Sequence, residues 1–340
     1  MKNSITIKMG TIVLMILVAV GLVLFMLLNK TSDNTQPLRL GWQPPWINQG
    51  QIVEVLKNSD ILKKNEVQVN FIPFTYGGPM TEAALAGSLD ILFVGDQPAI
   101  TLISKDSNWE IVARMTDYRS AIIVPYNSPY KTIADLKGKR IATAFGSTTH
   151  RDLIRELLSA GLDPKKDVEL VNLDQAEHAS LISAGGPSKW SGVDAIATYD
   201  PTIAISILKG DAKILQEWTS PSVVIAKKDI IERREKDIVQ FLKSYVEAYP
   251  EYSSNSSKYN NIYAKESRLD LPDSIYSDMA KIEPNMMANN AKAVDVQIDA
   301  TRQLILQKNA NIAFSIGIIK KNLILENYFN ESLLNKINLQ

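Results

Sequence analysis

The sequence predicts an α/β fold in which a parallel sheet is covered by helices, and three observations carry that expectation. From Leu38 to Pro125, short apolar runs alternate with helical patterns over short connections. The same alternation restarts at Arg140. Two strands, residues 90–95 and 193–198, are short apolar runs that end abruptly in polar segments, as strands buried on both faces do.

Composition narrows the chemistry. The 340 residues are 45% hydrophobic, enough for one large or two medium domains with real cores. Lys plus Arg equals Asp plus Glu at 37 each, so no long-range field points to nucleic acid as a partner. There is no cysteine, which removes disulfides, thiolate metal sites, iron–sulfur clusters, cysteine nucleophiles and a lipid-modified cysteine tether. With only His150 and His178, a multi-histidine metal centre is not expected, and no cofactor is expected either. No glycine-rich phosphate loop, H-E-x-x-H pair, G-x-S-x-G elbow or EF-hand pattern occurs, and no catalytic residue is assigned.

Residues 11–29 form an uncharged apolar run preceded by Lys2 and Lys8. It reaches the length of about 20 residues that a helix needs to cross a bilayer. No A-x-A-like cleavage site follows, so residues 1–30 are expected to be an uncleaved signal anchor rather than a cleaved signal. The two lysines bias the short N-terminus to the cytoplasm, although Lys30 weakens the bias, and the rest of the chain is then extracytoplasmic. Residues 31–37 are a polar tether.

The elements follow in order. Leu38 to Gly41 starts the folded part as a strand, and Trp42, Gln43, Pro44, Pro45 and Trp46 come next. A helix is expected over 51–62 from Ile52, Val55, Leu56 and Leu62, and a strand over 67–72 from its alternation. Small, helix-favouring residues around Ala83–Ala86 with Gly87 behind them predict a helix that stops there. Strand 90–95, the polar loop Gly95-Asp96-Gln97-Pro98, a helix over 99–104 and strands over 110–114 and 121–125 complete the first half. The second half has a strand over 140–145, the loop Gly146-Ser147-Thr148-Thr149-His150, and a helix over 149–160 with Leu153, Ile154, Leu157 and Leu158 on one face. A strand over 168–173, a helix over 177–184 and strand 193–198 with its exit Tyr199-Asp200-Pro201 follow. Strands over 212–216 and 222–226 then lead to a helix over 228–249. Residues 252–263, rich in Ser, Asn and Tyr, read as an exposed connection. Helical segments finish the chain, among them 293–306 and 312–319, the latter fitting a strand equally well.

Four segments are candidate ligand contacts, since open α/β sheets bind ligands beyond the carboxyl ends of their strands. Gly146 to His150 opens a helix, where unpaired N–H groups and a partial positive charge attract an anion; a Ser or Thr there also serves as a plain helix cap. His150 is a candidate contact or a satisfied hinge residue, and His178 reads as structural. Trp42, Gln43 and Trp46 offer an apolar wall and an amide, or packing at a domain edge. Asp96 and Asp200 each follow a buried strand and can receive a cation or simply hold their own loops.

Taken together, these segments resemble the solute-binding proteins of the nitrate, sulfonate and taurine family, which serve ABC importers. The resemblance is carried by Ala86-Gly-Ser-Leu-Asp90 through Gly95-Asp96-Gln97-Pro98, by Asn127 to Ile141 running into Gly146-Ser147 and His150, and by Val193-Asp-Ala-Ile-Ala-Thr-Tyr-Asp-Pro201. It implies a type II periplasmic-binding-protein fold: two Rossmann-like lobes joined by two crossing segments. Lobe 1 is then 38–122 with 219–340, and lobe 2 is 123–218. It also implies a cleft that includes Gln43, Trp46, Gly95, Asp96, Gln97, Ser147, Thr148, His150, Tyr199 and Asp200, with Tyr199 where a tryptophan is common. The implied function is capture of a sulfonate, nitrate-like anion, taurine or small heterocycle by a monomer that closes on it. A membrane permease and a cytoplasmic ATPase are the implied partners. The same fold resembles that of thiamine-pyrimidine synthases, whose cysteine-rich motif is lacking here. A thiamine-precursor binder and a ligand-sensing ectodomain stay open beside the importer component.

Overall fold

The structure, a computed structural model, describes residues 36–269 and 271–339. The expected anchor over 1–30 lies outside the described residues, as does most of the tether. Among the described residues no helix is long and apolar enough to cross a membrane.

Residues 38–340 form one compact unit built on a single eight-stranded sheet. Its strands are β1 (Leu38–Trp42), β2 (Val69–Pro73), β3 (Ile91–Gly95), β4 (Trp109–Pro125), β5 (Arg140–Thr143), β6 (Glu169–Asn172), β7 (Ala195–Tyr199) and β8 (Ala212–Lys227), ordered β2-β1-β3-β8-β4-β7-β5-β6. The two flanks are parallel, as the alternation of strand and helix demands. The sheet as a whole is mixed, because β8 lies antiparallel to both β3 and β4, and β4 lies antiparallel to β7. A chain that returns from the second flank to the first must run back through the middle.

Each of the two central strands is longer than the sequence predicts. Residues 110–114 and 121–125 belong to one 17-residue strand, and 212–216 and 222–226 to one 16-residue strand. Register shifts at Ile111/Ala113, Arg114/Asp117 and Ile122/Ile123 interrupt the apolar alternation that marks a strand in sequence. Pro221, which argues against a continuous strand, sits opposite Asp117 at the end of one such shift, where a missing N–H is tolerated.

The helices that matter below are α1 (Ile47–Asn58), α2 (Gly77–Leu85), α3 (Asp96–Lys105), α4 (Thr148–Ser159), α5 (Gln175–Gly185), α6 (Thr202–Leu208), α7 (Lys228–Ser254), α8 (Ser256–Ser267), α9 (Asp273–Ile282) and α10 (Ala300–Ser315). The segment Asp96-Gln97-Pro98 is therefore the first turn of α3 rather than a loop. Proline is accommodated there because the first N–H groups of a helix have no internal partner. Residues 252–263 are likewise not an exposed connection: they end α7 and form most of α8, with Tyr259 and Tyr263 fully buried. Two aromatic anchors four residues apart outweigh the polar composition between them. Helix α10 covers 312–315 and stops before Gly317, whose φ of 79° lies in the left-handed region.

The apolar core is divided as the sheet is. Two clusters pack the faces around β1 and β3: one beneath α1 and α7, with Leu40, Val55, Phe93 and Phe241, the other beneath α2, α3 and α10, with Met80, Leu92, Ile103 and Ala310. Two further clusters flank β5 and β7, centred on Leu153 and Ala197 and on Ile182 and Trp190. The long strands β4 and β8 are the elements common to both groups.

Candidate functional site

The ends of β1 and β7 bring Trp46 and Tyr199 together, and the end of β3 brings Asp96 to Thr148 after β5. Trp46 directly precedes α1, and its ring centroid lies 4.4 Å from that of Tyr118 on β4 and 6.1 Å from that of Tyr199 at the end of β7. Tyr118 and Tyr199 close the triangle edge to face at 5.6 Å. The three rings form one apolar wall. The Tyr199 hydroxyl is buried with no hydrogen-bond partner among the described residues, and burial raises its pKa well above that of a free tyrosine.

Beside the wall, the first turns of α3 and α4 meet. Asp96 is fully buried; its Oδ1 accepts from Thr148 Oγ1 at 2.9 Å, and its Oδ2 accepts from Arg151 Nη1 at 2.6 Å and from Asn309 Nδ2 at 2.7 Å. The backbone N–H of Gln97 donates to Thr148 Oγ1 at 3.2 Å. Gly95 permits this approach, since a Cβ on it would stand 2.5 Å from Thr148 Oγ1. Arg151 is held from behind by Asp152, whose Oδ1 accepts from Nε and Nη2 at 3.1 and 2.9 Å. Asp152 Oδ2 in turn accepts from Trp218 Nε1 at 2.8 Å and from Ser220 Oγ at 3.1 Å on β8. A buried charge is tolerated only when paired and hydrogen-bonded, and this chain meets both conditions.

The other predicted residues occupy defined roles. Ser147 caps α4 by accepting from the N–H of His150 at 3.1 Å. His150 stacks on Phe145 at 4.6 Å, and burial lowers its pKa to about 4, which keeps the ring neutral at physiological pH. The Gln43 backbone N–H donates to the Gln49 side chain, and its amide reaches the Phe93 carbonyl at 3.4 Å. Asp200 precedes a cis-proline, accepts from the Ala204 N–H at 3.0 Å, and pairs with Arg119 through two contacts of 2.8 and 2.9 Å. His178 is buried with Nδ1 3.0 Å from Thr198 Oγ1.

A solvent-connected recess opens between these groups, lined by Trp46, Ile47, Asn48, Tyr118, Arg119 and Asp200, with Met279 and Ile282 of α9 on its far side. Wider free space occurs elsewhere, both between α5, α6 and residues 268–272 and beside Arg114. Tyr118, Arg119, Arg151 and Asn309 belong to the candidate site by their contacts and are missed by sequence reasoning. Tyr118 and Arg119 fall in the stretch between two apparent strands, Arg151 lies inside an amphipathic helix, and Asn309 is 213 residues from its partner Asp96.

Known proteins of similar sequence and fold give this geometry a context. Residues 58–185 match the family model for the periplasmic substrate-binding protein of phosphonate ABC transporters. The chain is 28% identical over 281 residues to the protein assigned to aliphatic-sulfonate binding in Escherichia coli (strain K12), covering 80% of this chain and 83% of that one. It is 29% identical over 206 residues to the taurine-binding periplasmic protein of the same organism, covering 57% and 60%. The alkanesulfonate-binding protein of Xanthomonas axonopodis pv. citri, solved bound to MOPS, superposes with a TM-score of 0.72 at 22% identity, over 87% of this chain and 98% of that one. These matches support a solute-binding protein of the nitrate, sulfonate and taurine family, and the superposition shows the shared fold. The fold is shared with enzymes too: a desulfurization enzyme superposes with a TM-score of 0.61 at 14% identity, over 88% of this chain and 98% of that one. Fold therefore does not decide between binding and catalysis, and the relatives named above are binding proteins.

Proposed function

We propose that this protein captures a small organic sulfonate between two lobes, 38–122 with 219–340 and 123–218, and hands it to an ABC permease while held to the membrane by a signal anchor at residues 1–30. The observation that carries the reading is the convergence of Trp46, Tyr118 and Tyr199 beside the first turns of α3 and α4. An alkyl or aryl chain removed from water against three rings gains roughly 25 cal/mol per Å² of apolar area buried. Gln43, Gly95, Asp96, Gln97, Ser147, Thr148, His150 and Asp200 surround that wall as the polar part of the cleft. The long strands β4 and β8, with bulges between Arg114 and Asp117, are the natural hinge. Ligand that touches both lobes then favours the closed form by its differential affinity, with no chemical step.

Thermal unfolding of the full-length protein against taurine, butane-1-sulfonate, nitrate, bicarbonate and a pyrimidine tests the assignment. Butane-1-sulfonate at a hundredfold excess over its dissociation constant stabilises a native-only binder by about 2.7 kcal/mol and raises the midpoint accordingly. A shift produced by the pyrimidine alone would transfer the assignment to heterocycles.

A further inference from the structure

We infer that Arg119 is the residue that grips the anionic head of the ligand, and that the head is therefore an oxyanion with two oxygens placed for paired N–H donors, such as a sulfonate or phosphonate. This rests on the reading of the cleft as a sulfonate site. Among the described residues, Arg119 is the one cation lining the recess beside Trp46, Tyr118, Asn48, Met279 and Ile282. Its contacts to Asp200 use Nε and Nη2, so the carboxylate holds the guanidinium side-on and leaves Nη1 without a partner among the described residues. Its side chain remains 30% exposed, while that of Asp200 is 4% exposed. Asp200 is itself fixed by the N–H of Ala204, so the guanidinium is locked in one plane before any ligand arrives. A guanidinium held side-on still offers two parallel N–H donors along its Nη1–Nη2 end, a geometry that matches two oxygens of a tetrahedral oxyanion.

The competing place for an anion, the N-terminus of α4, is already faced by a protein carboxylate. Asp96 Oδ1 lies 2.9 Å from Thr148 Oγ1 in the first turn, and Ser147 caps the N–H of His150. A second anion there would meet Asp96 at close range. Arg151, the nearest cation to that turn, is fully buried and shared between Asp96 and Asp152. Asp200 also lines the recess, but it occupies the Nε–Nη2 edge of Arg119 and leaves the Nη1 side open, while Glu217 and Asp278 are exposed and Asp278 pairs with Lys281 at 3.0 Å, so solvent and salt screen them.

The test is calorimetric titration of the full-length protein with butane-1-sulfonate and with butane-1-sulfonamide, which has the same chain and a neutral head. Wild type is expected to prefer the sulfonate at least tenfold. Arg119→Gln should abolish that preference, and Arg119→Lys, which keeps the charge opposite Asp200 but not the fork, should lose at least threefold for the sulfonate only. The lysine variant carries the test if the glutamine variant fails to fold. Unchanged sulfonate affinity in folded Arg119→Lys overturns the inference and leaves the sulfonate reading standing. No binding of either compound by wild type overturns both.

Discussion

A carboxylate removed from water destabilises a fold unless charge and hydrogen bonds replace its hydration, and Asp96 shows how completely that is done here. One oxygen takes a threonine hydroxyl, and the other takes an arginine and an asparagine. Asp96→Ala should cost about 3–5 kcal/mol, because it strands Arg151 in the interior with only Asp152 to balance it. Urea unfolding measures this; a loss under about 1 kcal/mol would mean that water reaches Arg151 and relieves its unpaired charge. Asp96 is legible in the sequence because a buried apolar strand turns polar at its end. Its partners are not. Arg151 reads as an ordinary charged position of an amphipathic helix, since sequence periodicity marks apolar faces and is silent on buried charge. Arg119 and Tyr118 are hidden by the bulged register of β4, which breaks the alternation that would show which of its side chains share a face.

At the scale of elements, alternation reveals the flanks of the sheet and conceals its centre. Strands β1, β3, β5 and β7 announce themselves as short apolar runs. Strands β4 and β8 are split by bulges, and the mixed character of the sheet depends on how they pair, which no local pattern encodes. Helix α8 escapes sequence reading for a different reason: its stability comes from Tyr259 and Tyr263 packing inward, not from propensity. The Tyr263 ring lies against α1 at Gly50, where a Cβ would stand 2.1 Å from the ring, and the Tyr263 hydroxyl donates to the Pro44 carbonyl at 2.7 Å. Gly50→Ala should therefore destabilise by about 1–3 kcal/mol through overpacking, although alanine is the better helix former. The readout is a lowered thermal midpoint together with weaker ligand binding, since α1 begins directly after Trp46. A neutral or stabilising effect would show that α8 is not anchored on α1.

At the scale of the molecule, two sets of apolar clusters share β4 and β8, and the residues of the candidate site are tied to those strands. Ser220 on β8 donates to Asp152 behind Arg151 and contacts Ser120 on β4 at 3.1 Å, while Arg119 on β4 holds Asp200. The site and the two long strands are therefore joined by direct hydrogen bonds. That coupling is what a binding protein needs if occupancy is to be reported through its conformation. A crystal structure of the full-length protein with butane-1-sulfonate is the most direct check on where the ligand sits and what holds it. The alkyl chain is expected against Trp46, Tyr118 and Tyr199, with the sulfonate oxygens on the Nη1–Nη2 end of Arg119. A ligand seated instead in the wider recess between α5, α6 and residues 268–272 would contradict the proposed cleft.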